Sequence, residues 1–330
     1  MNYGRSLAVC VAAPADMEEK MDILMQCLLL AVGFVMLVKG ADWFVDGAAG
    51  IADRFGVPQL VIGLTIVAMG TSAPEAAVSI TAALKGSADI TIGNVVGSNI
   101  LNILIILGIT SVIVAVAVAG STIKYEIPYM LLITVLLLIL GCTGNVVSFG
   151  EGIILWTAFL LYLGYLFVMA KKNKEEVTQE SKKVSFLRLL IAALVGFILI
   201  VWGSDVTVNA ATCIAKEVGL SERFIGLTIV ALGTSLPELF TSVSAALKGK
   251  ADIAIGNIVG SNIFNILFVV GTTGLITPVA FTANFVVDTA VAVLAGAVLF
   301  ACVWKKQKLT RTGGIFMLIC YGIYFVYLLQ

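Results

Sequence analysis

The feature that most constrains this chain is an internal duplication in which each copy carries a carboxylate inside an apolar run. Residues 70–75 read Gly-Thr-Ser-Ala-Pro-Glu, and residues 233–238 read Gly-Thr-Ser-Leu-Pro-Glu. Glu75 and Glu238 are 163 positions apart, and the same offset gives identity at 32 of 43 positions from residue 62 to 104. A carboxylate at the centre of a bilayer costs about 2.5–3.5 kcal/mol. Two carboxylates at equivalent positions of a duplication therefore indicate a functional pair.

Composition places the chain in a membrane. Of 330 residues, 60% are hydrophobic and 12% are charged, and the mean hydropathy is +1.08. Soluble domains have about 25% charged residues, so we predict a polytopic membrane protein. The zero net charge gives no indication of nucleic-acid binding. The sequence has no histidine, which excludes histidine-ligated metals and Ser-His chemistry. We therefore expect neither an enzyme nor a resident cofactor.

The hydropathy pattern predicts an all-α membrane protein with ten transmembrane helices. We expect an N-terminal leader at 1–22, a first five-helix repeat at 23–170, a polar linker at 171–185 and a second five-helix repeat at 186–330. The predicted spans lie at about 23–48, 58–84, 90–117, 126–141, 149–170, 186–213, 222–247, 253–277, 284–303 and 311–328. The duplicated motif breaks the second and the seventh of them.

An odd number of spans per repeat has a topological consequence. The second repeat must enter the membrane from the opposite side, which gives two inverted repeats, a common arrangement in secondary transporters. With Lys39 left aside, fourteen of the lysine and arginine residues fall on the side of the linker and five on the other side. By the positive-inside rule the linker is cytoplasmic, and both termini lie outside.

The motif around Pro74 predicts a helix that stops and restarts. Proline has no backbone N–H and disfavours helix at the residue before it, and Gly70 loosens the chain further. We expect the helix to end near 68–70 and to restart near Ser72, where Ser72 and Glu75 have the spacing of a capping box. A structural cap is the alternative to a binding role. Because the broken turn, the hydroxyls and the carboxylate all present oxygen, the motif suits Ca²⁺.

A second duplicated element completes the pattern. Residues 93–102 read Gly-Asn-Val-Val-Gly-Ser-Asn-Ile-Leu-Asn, and 256–265 differ from them at two positions only. On a helix, Ser98 and Asn102 share one face, with Asn94 roughly on it, so this stripe could complete an oxygen shell. Close helix–helix packing through the small residues is the alternative.

Four further acids are expected near span ends. For Asp42 and its repeat partner Asp205, interfacial capping is at least as strong a reading as a role in transport. Glu126 and Asp288 lie near span starts, and we expect them to face the interface.

The two elements together, each present twice, resemble the α-repeats of the calcium/cation antiporter superfamily, the sodium/calcium exchangers. The resemblance covers nearly all of residues 23–330 and is closest to prokaryotic members without a regulatory domain. It implies ten helices in inverted halves with the termini outside, and a prokaryotic plasma membrane location.

The resemblance also implies a set of ion ligands. Glu75 and Glu238 would ligate Ca²⁺ and share in the Na⁺ sites. The remaining implied ligands are carbonyl, hydroxyl or amide oxygens of Ala68, Thr71, Ser72, Ser98, Asn102, Ala231, Thr234, Ser235, Ser261 and Asn265. Some members carry aspartate where this chain has Asn265, so this chain has two central acids rather than three. Two carboxylates balance one Ca²⁺ or two Na⁺.

These observations predict a secondary antiporter that exports Ca²⁺ as Na⁺ enters, by alternating access. Ca²⁺, Na⁺ and the lipid bilayer are the expected partners. An H⁺-coupled cation antiporter is the alternative within transport, with Glu75 and Glu238 carrying protons. A passive cation channel is a more distant alternative.

Overall fold

The computed structural model describes residues 15–85, 88–173, 184–219 and 231–328. Apart from four two-residue strands, its regular elements are helices, and we number them in chain order. The helices are α1 (Ala15–Phe55), α2 (Gln59–Thr71), α3 (Ala73–Leu84), α4 (89–113), α5 (Thr122–Cys142), α6 (Phe149–Lys172), α7 (Phe186–Glu217), α8 (Ala231–Gly233), α9 (Leu236–Leu247), α10 (Ala251–Ile276), α11 (Ala283–Trp304) and α12 (Arg311–Leu328).

Eight helices of the described residues are long and apolar enough to cross a membrane, and the bent pair α2–α3 makes a ninth candidate. The chain is therefore an all-α integral membrane protein, as the sequence predicts. Within the predicted seventh span the structure describes α8 and the short apolar helix α9, and the first part of that span, residues 222–230, lies outside the described residues. So do residues 1–14 of the predicted leader and 174–183 of the predicted linker.

Two helices form the centre of the protein. In the most apolar stretch of α10, 94% of the residues are buried, against 72% for α4 and only 22% for α7. α10 packs against α2, with the backbones in direct contact where Gly256 faces Gly63. A Cβ atom on Gly256 would lie 3.1 Å from the Gly63 backbone, so any side chain here would separate the two helices. The predicted close packing is thus observed in the second copy of the small-residue element, whereas in the first copy a Cβ atom on Gly93 would meet only Phe285, at 3.5 Å, among the described residues.

The long helices α1 and α7 lie together at the edge of the bundle. They pack through small residues: a Cβ atom on Gly40 would approach the Gly196 carbonyl to 2.9 Å. Large apolar side chains on their outer faces are exposed, among them Trp43 and Trp202. In a membrane protein such faces meet lipid rather than water.

Two short antiparallel strand pairs join the sequence halves. β1 (Val116–Ala117) pairs with β4 (Lys308–Leu309), and β2 (Val146–Val147) pairs with β3 (Val279–Ala280). Each pair takes one strand from residues before the predicted linker and one from residues after it. The two halves are therefore held together by backbone hydrogen bonds as well as by helix packing.

Candidate functional site

The candidate site begins at the break between α2 and α3. α2 ends at Thr71, Ser72 leaves helical geometry with φ −84° and ψ 6°, and α3 restarts at Ala73 at an angle of 49°. Pro74 stands in the first turn of α3, where its missing N–H costs nothing. The predicted stop and restart are therefore observed. The same residue types separate α8 from α9 at Ser235, which has φ −91° and ψ 3°.

The predicted capping box at this break is wrong. The Ser72 side chain makes no cap hydrogen bond with α3. Instead its Oγ donates to Glu238 Oε1 of the other motif copy, at 2.8 Å. The serine therefore joins the two copies of the motif, which favours a shared site over a local structural cap.

The two carboxylates are deeply buried and close to each other. Glu75 is 1% exposed and Glu238 is fully buried, and Ser72, three residues before Glu75, donates a hydrogen bond to Glu238. The Thr234 hydroxyl lies beside Glu75, and the Ser261 hydroxyl lies beside Glu238. Two anions this close and this far from water require a compensating positive charge or a proton.

The Ala68 carbonyl oxygen is a second meeting point of the halves. It accepts the Ser72 N–H at 3.0 Å and the hydroxyls of Thr71 and Ser261, both at 3.3 Å. Thr71 Oγ1 also lies 3.0 Å from Asn257 Oδ1. Residues from α2 and α10 thus surround one carbonyl at the break.

Four asparagines form a symmetric cluster between α4 and α10. Asn99 Nδ2 donates to the Asn262 carbonyl at 3.2 Å, and Asn262 Nδ2 donates to the Asn99 carbonyl at 3.1 Å. Asn102 Nδ2 donates to Asn262 Oδ1 at 3.0 Å, and Asn265 Nδ2 donates to Asn99 Oδ1 at 3.1 Å. Because the amide nitrogens of Asn102 and Asn265 are used in this way, their Oδ1 atoms face elsewhere.

Several buried oxygens at this place have no partner among the described residues. They include one oxygen each of Glu75, Glu238, Asn102, Asn265 and Ser235. A buried polar atom without a hydrogen bond costs about 1–3 kcal/mol, and more when it is charged. Carboxylate and amide oxygens in this number are the ligands that hard cations such as Ca²⁺ take.

The structure brings most of the predicted ligands together. Ser98, a predicted hydroxyl ligand, is also buried, on α4. Thr234 is partly exposed beside a small cavity of about 100 Å³. Ala231 opens α8, but its side chain lies outside the described residues.

Sequence reasoning missed Asn99 and Asn262, which form half of the asparagine cluster. Both lie within the duplicated element, so the offset alone marks them. A regular helix places Ser98 and Asn102 on one face, but π-helical turns begin at Asn102 and at Asn265. π-helical turns inside α-helices are frequent at functional sites.

Asn94 and Asn257 hydrogen-bond α3 and α9, the helices that begin after the two breaks. Asn94 Nδ2 donates to the Glu75 carbonyl at 3.2 Å and to Ser79 Oγ at 2.9 Å. Asn257 repeats both contacts with the Glu238 carbonyl and with Ser242 Oγ. These asparagines hold the first turn that carries each glutamate, rather than supplying free oxygens.

Glu126 does not face the interface, and that expectation is wrong. It is 1% exposed and accepts the Tyr165 hydroxyl, because the start of α5 is covered by α6. Asp288 is partly buried and accepts the Tyr324 hydroxyl at 2.8 Å.

Comparison with known proteins gives a consistent result. A family described as sodium/calcium exchanger protein matches residues 25–168 and 188–330. The sodium/calcium exchanger MaX1 of Methanosarcina acetivorans is 31% identical, over 91% of this chain and 97% of its own. Inner membrane protein YrbG of Escherichia coli is 37% identical, over 78% and 81%. A structure of the sodium-calcium exchanger NCX_Mj without Na⁺ and Ca²⁺ has a TM-score of 0.81 at 32% identity, covering 93% and 99%.

Proposed function

The chain belongs to the sodium/calcium exchanger family, and we propose that it exports Ca²⁺ in exchange for Na⁺ by alternating access. The observation that carries this proposal is the set of buried, unpartnered oxygens on Glu75, Glu238, Asn102 and Asn265. Two come from each motif copy. Two carboxylates balance one Ca²⁺ or two Na⁺, so the ions compete for the same oxygens. That competition couples the two fluxes.

We assign ion-ligand roles within this centre. Glu75 and Glu238 bind Ca²⁺ and share in binding Na⁺. The backbone carbonyl oxygens of Ala68, Thr71, Ala231 and Thr234 are further ligands, and Asn102 and Asn265 take the remaining central positions. The hydroxyls of Ser72, Ser98, Ser235 and Ser261 are ligands of the outer Na⁺ sites. The hydrogen bond from Ser72 of one motif copy to Glu238 of the other supports a shared site, because one divalent cation can neutralise both carboxylates.

The proposed topology has ten transmembrane helices in two inverted repeats, 23–170 and 186–330. α2–α3 form the second span and α8–α9 belong to the seventh. The linker 171–185 is cytoplasmic, both termini lie outside, and the membrane is a prokaryotic plasma membrane, whereas residues 15–22 of the predicted leader belong to α1. The charge asymmetry of the loops and the exchange of hydrogen bonds between equivalent asparagines support this arrangement.

The experiment that tests the function is uptake of radiolabelled Ca²⁺ into proteoliposomes of the purified protein. Liposomes loaded with Na⁺ are diluted into Na⁺-free or Na⁺-matched buffer. We expect uptake only with the outward Na⁺ gradient. Liposomes without protein, treated in the same way, measure the leak.

The other outcomes identify the alternatives. Uptake that follows a pH gradient and ignores Na⁺ would make the protein an H⁺-coupled antiporter, with the glutamates as proton carriers. Uptake that needs no ion on the opposite side would indicate a passive channel. Either result would overturn Na⁺/Ca²⁺ exchange.

A further inference from the structure

A cluster of charged side chains joins the end of α9 to the long helix α1. Lys248 Nζ lies 2.8 Å from an Asp46 carboxylate oxygen and 3.4 Å from Asp42 Oδ1, and it also donates to the Asp42 carbonyl at 2.8 Å. Lys250 Nζ lies 3.4 Å from Asp46. Ser244 Oγ donates to Asp42 at 2.7 Å. We call Asp42, Asp46, Lys248 and Lys250 the α1–α9 latch.

The 163-residue offset identifies the counterpart of this latch on α7 and α3. Asp42 corresponds to Asp205, Asp46 to Asn209, and Lys248 to Lys85, while Lys250 corresponds to Ser87. Within the described residues, neither Asp205 nor Lys85 makes an ion pair or a side-chain hydrogen bond, and both are exposed. Among the described residues, the ion pairs of the latch thus have no equivalent at the corresponding positions of α7 and α3.

The two pairs of helices also differ in how closely they pack. α1 lies against α9 along the latch. Between α7 and α3, a groove of about 590 Å³ is lined by Pro74 and Ala77 of α3 and by Val201 and Asp205 of α7. A smaller cavity continues from Asp205 and Asn209 to Thr234 at the candidate site. The open side therefore leads toward the proposed ion ligands.

We propose that the α1–α9 latch and its α7–α3 counterpart close alternately and set which side of the membrane the site faces. This inference rests on the proposed alternating access. In the proposed topology the latch is cytoplasmic, so the structure represents an outward-open state. Closing the counterpart would bring Lys85 to Asp205 and release Lys248 from α1.

The latch and its counterpart differ in the number of charged residues, and this difference favours the state in which the latch is closed. The latch has two acids and two lysines, but its counterpart has one of each because Asn209 and Ser87 replace the others. The latch side chains are partly exposed, Lys248 by 25% and Asp46 by 57%, so each pair is weak and only the group can shift an equilibrium. We infer that the outward-open state is the more populated one without ions.

The test measures two equivalent distances by pulsed electron spin resonance. With the six native cysteines replaced by alanine, spin labels are placed at Phe55 and Leu247, or at Val218 and Leu84. These residues are exposed, and the offset relates the two pairs to each other. The protein is reconstituted in liposomes without a gradient, so the result is independent of whether Na⁺ drives Ca²⁺ uptake.

Two different changes should give the same shift. Asp46→Asn breaks two ion pairs of the latch and should favour the state in which the counterpart is closed. In that state the distance between residues 55 and 247 is long and the distance between residues 218 and 84 is short, and its population should rise by roughly threefold to tenfold. Asn209→Asp, which adds the missing acid to the counterpart, should raise the same population. Asp53→Asn removes an acid from α1 whose one hydrogen bond among the described residues is from Gln59 Nε2, at 3.2 Å, and it should leave both distances unchanged.

The proposal fails if Asp46→Asn and Asn209→Asp both leave the two distance distributions as in the parent. It also fails if Asp53→Asn shifts them equally, since any loss of charge on α1 would then suffice. Should Asp46→Asn not fold, Asn209→Asp decides alone, because Asn209 is exposed and its side chain makes no hydrogen bond among the described residues.

Discussion

The two copies of the broken-helix motif have nearly the same sequence and different contacts. In the first copy, Ser72 donates to Glu238 at 2.8 Å. In the second copy, the buried Ser235 Oγ has no partner among the described residues. Since the residue types are the same, the difference comes from the conformation of the surroundings. An asymmetric arrangement of like elements is what an alternating-access transporter needs in each of its states.

The asparagine cluster shows the opposite behaviour. Asn99 and Asn262 exchange equivalent hydrogen bonds of 3.2 and 3.1 Å, and Asn102 and Asn265 repeat this with 3.0 and 3.1 Å. The centre of the bundle is therefore symmetric where the broken helices are not. This suggests a fixed axis at α4 and α10, about which the outer helices take different positions.

The largest effect should come from neutralising either glutamate, because the comparison makes them equal partners in one site. Glu75→Gln and Glu238→Gln keep the side-chain shape and remove one of two charges that balance Ca²⁺. We expect each to lower Na⁺-dependent Ca²⁺ uptake at least 100-fold, since losing one partner of a buried ionic interaction costs about 3–5 kcal/mol.

The control for this prediction is Glu217→Gln, at the exposed end of α7. It should transport like the parent. Both site variants should elute as monodisperse protein in detergent, which separates a loss of binding from a loss of folding. Parent-like uptake in either Glu75→Gln or Glu238→Gln would remove the proposed site.

The second-largest effect, a loss of stability, should come from substitutions in the asparagine cluster, and it should be similar for the two halves. Asn99→Ala removes the donor to the Asn262 carbonyl and the acceptor of Asn265. Asn262→Ala removes the equivalent pair with Asn99 and Asn102. Each variant leaves one buried amide unpaired, that of Asn265 or that of Asn102, at about 1–3 kcal/mol, because the two backbone carbonyls still accept an N–H from their own helix.

Thermal unfolding in detergent measures this loss. Both alanine variants should lower Tm by a similar amount, and the double variant should lose less than the sum, because the two asparagines bond each other. Asn284→Ala, at an exposed position in the first turn of α11, serves as the control substitution. A large inequality between Asn99→Ala and Asn262→Ala would show that the centre is not symmetric.

Much of the fold follows from the sequence because its causes are local. Pro74 and Gly70 predict the break in the second span, and the break is observed at Ser72. Long apolar runs predict the helices that the structure describes. The 163-residue offset relates the residues that meet at the centre. None of these inferences requires knowledge of a distant contact.

The contacts that define the site could not be predicted because they join residues far apart in the chain. The spacing of Ser72 and Glu75 predicts a local cap, but the serine bonds Glu238, 166 positions away. The π-helical turns that begin at Asn102 and at Asn265 are likewise not revealed by helix periodicity. Glu126 is buried because Tyr165, from the next helix, covers it.

The smallest effect should separate the two motif copies, and it tests the asymmetry directly. Ser72→Ala leaves a buried Glu238 oxygen without its donor and should destabilise the protein by about 1–3 kcal/mol. Ser235→Ala removes an unpartnered hydroxyl and should change stability by less than about 0.5 kcal/mol. Thermal unfolding of both variants in detergent, in the absence of Na⁺ and Ca²⁺, measures the difference.

The difference in stability between these two variants should depend on whether ions are bound. With saturating Na⁺ both serines are ion ligands, and the difference in stability between Ser72→Ala and Ser235→Ala should narrow. A gap that is absent without ions would mean that both serines reach the opposite glutamate equally often, so that the protein samples both states in similar amounts. Because the α1–α9 latch has more charges than its counterpart, the observed asymmetry should instead dominate, with Ser72 as the more costly loss.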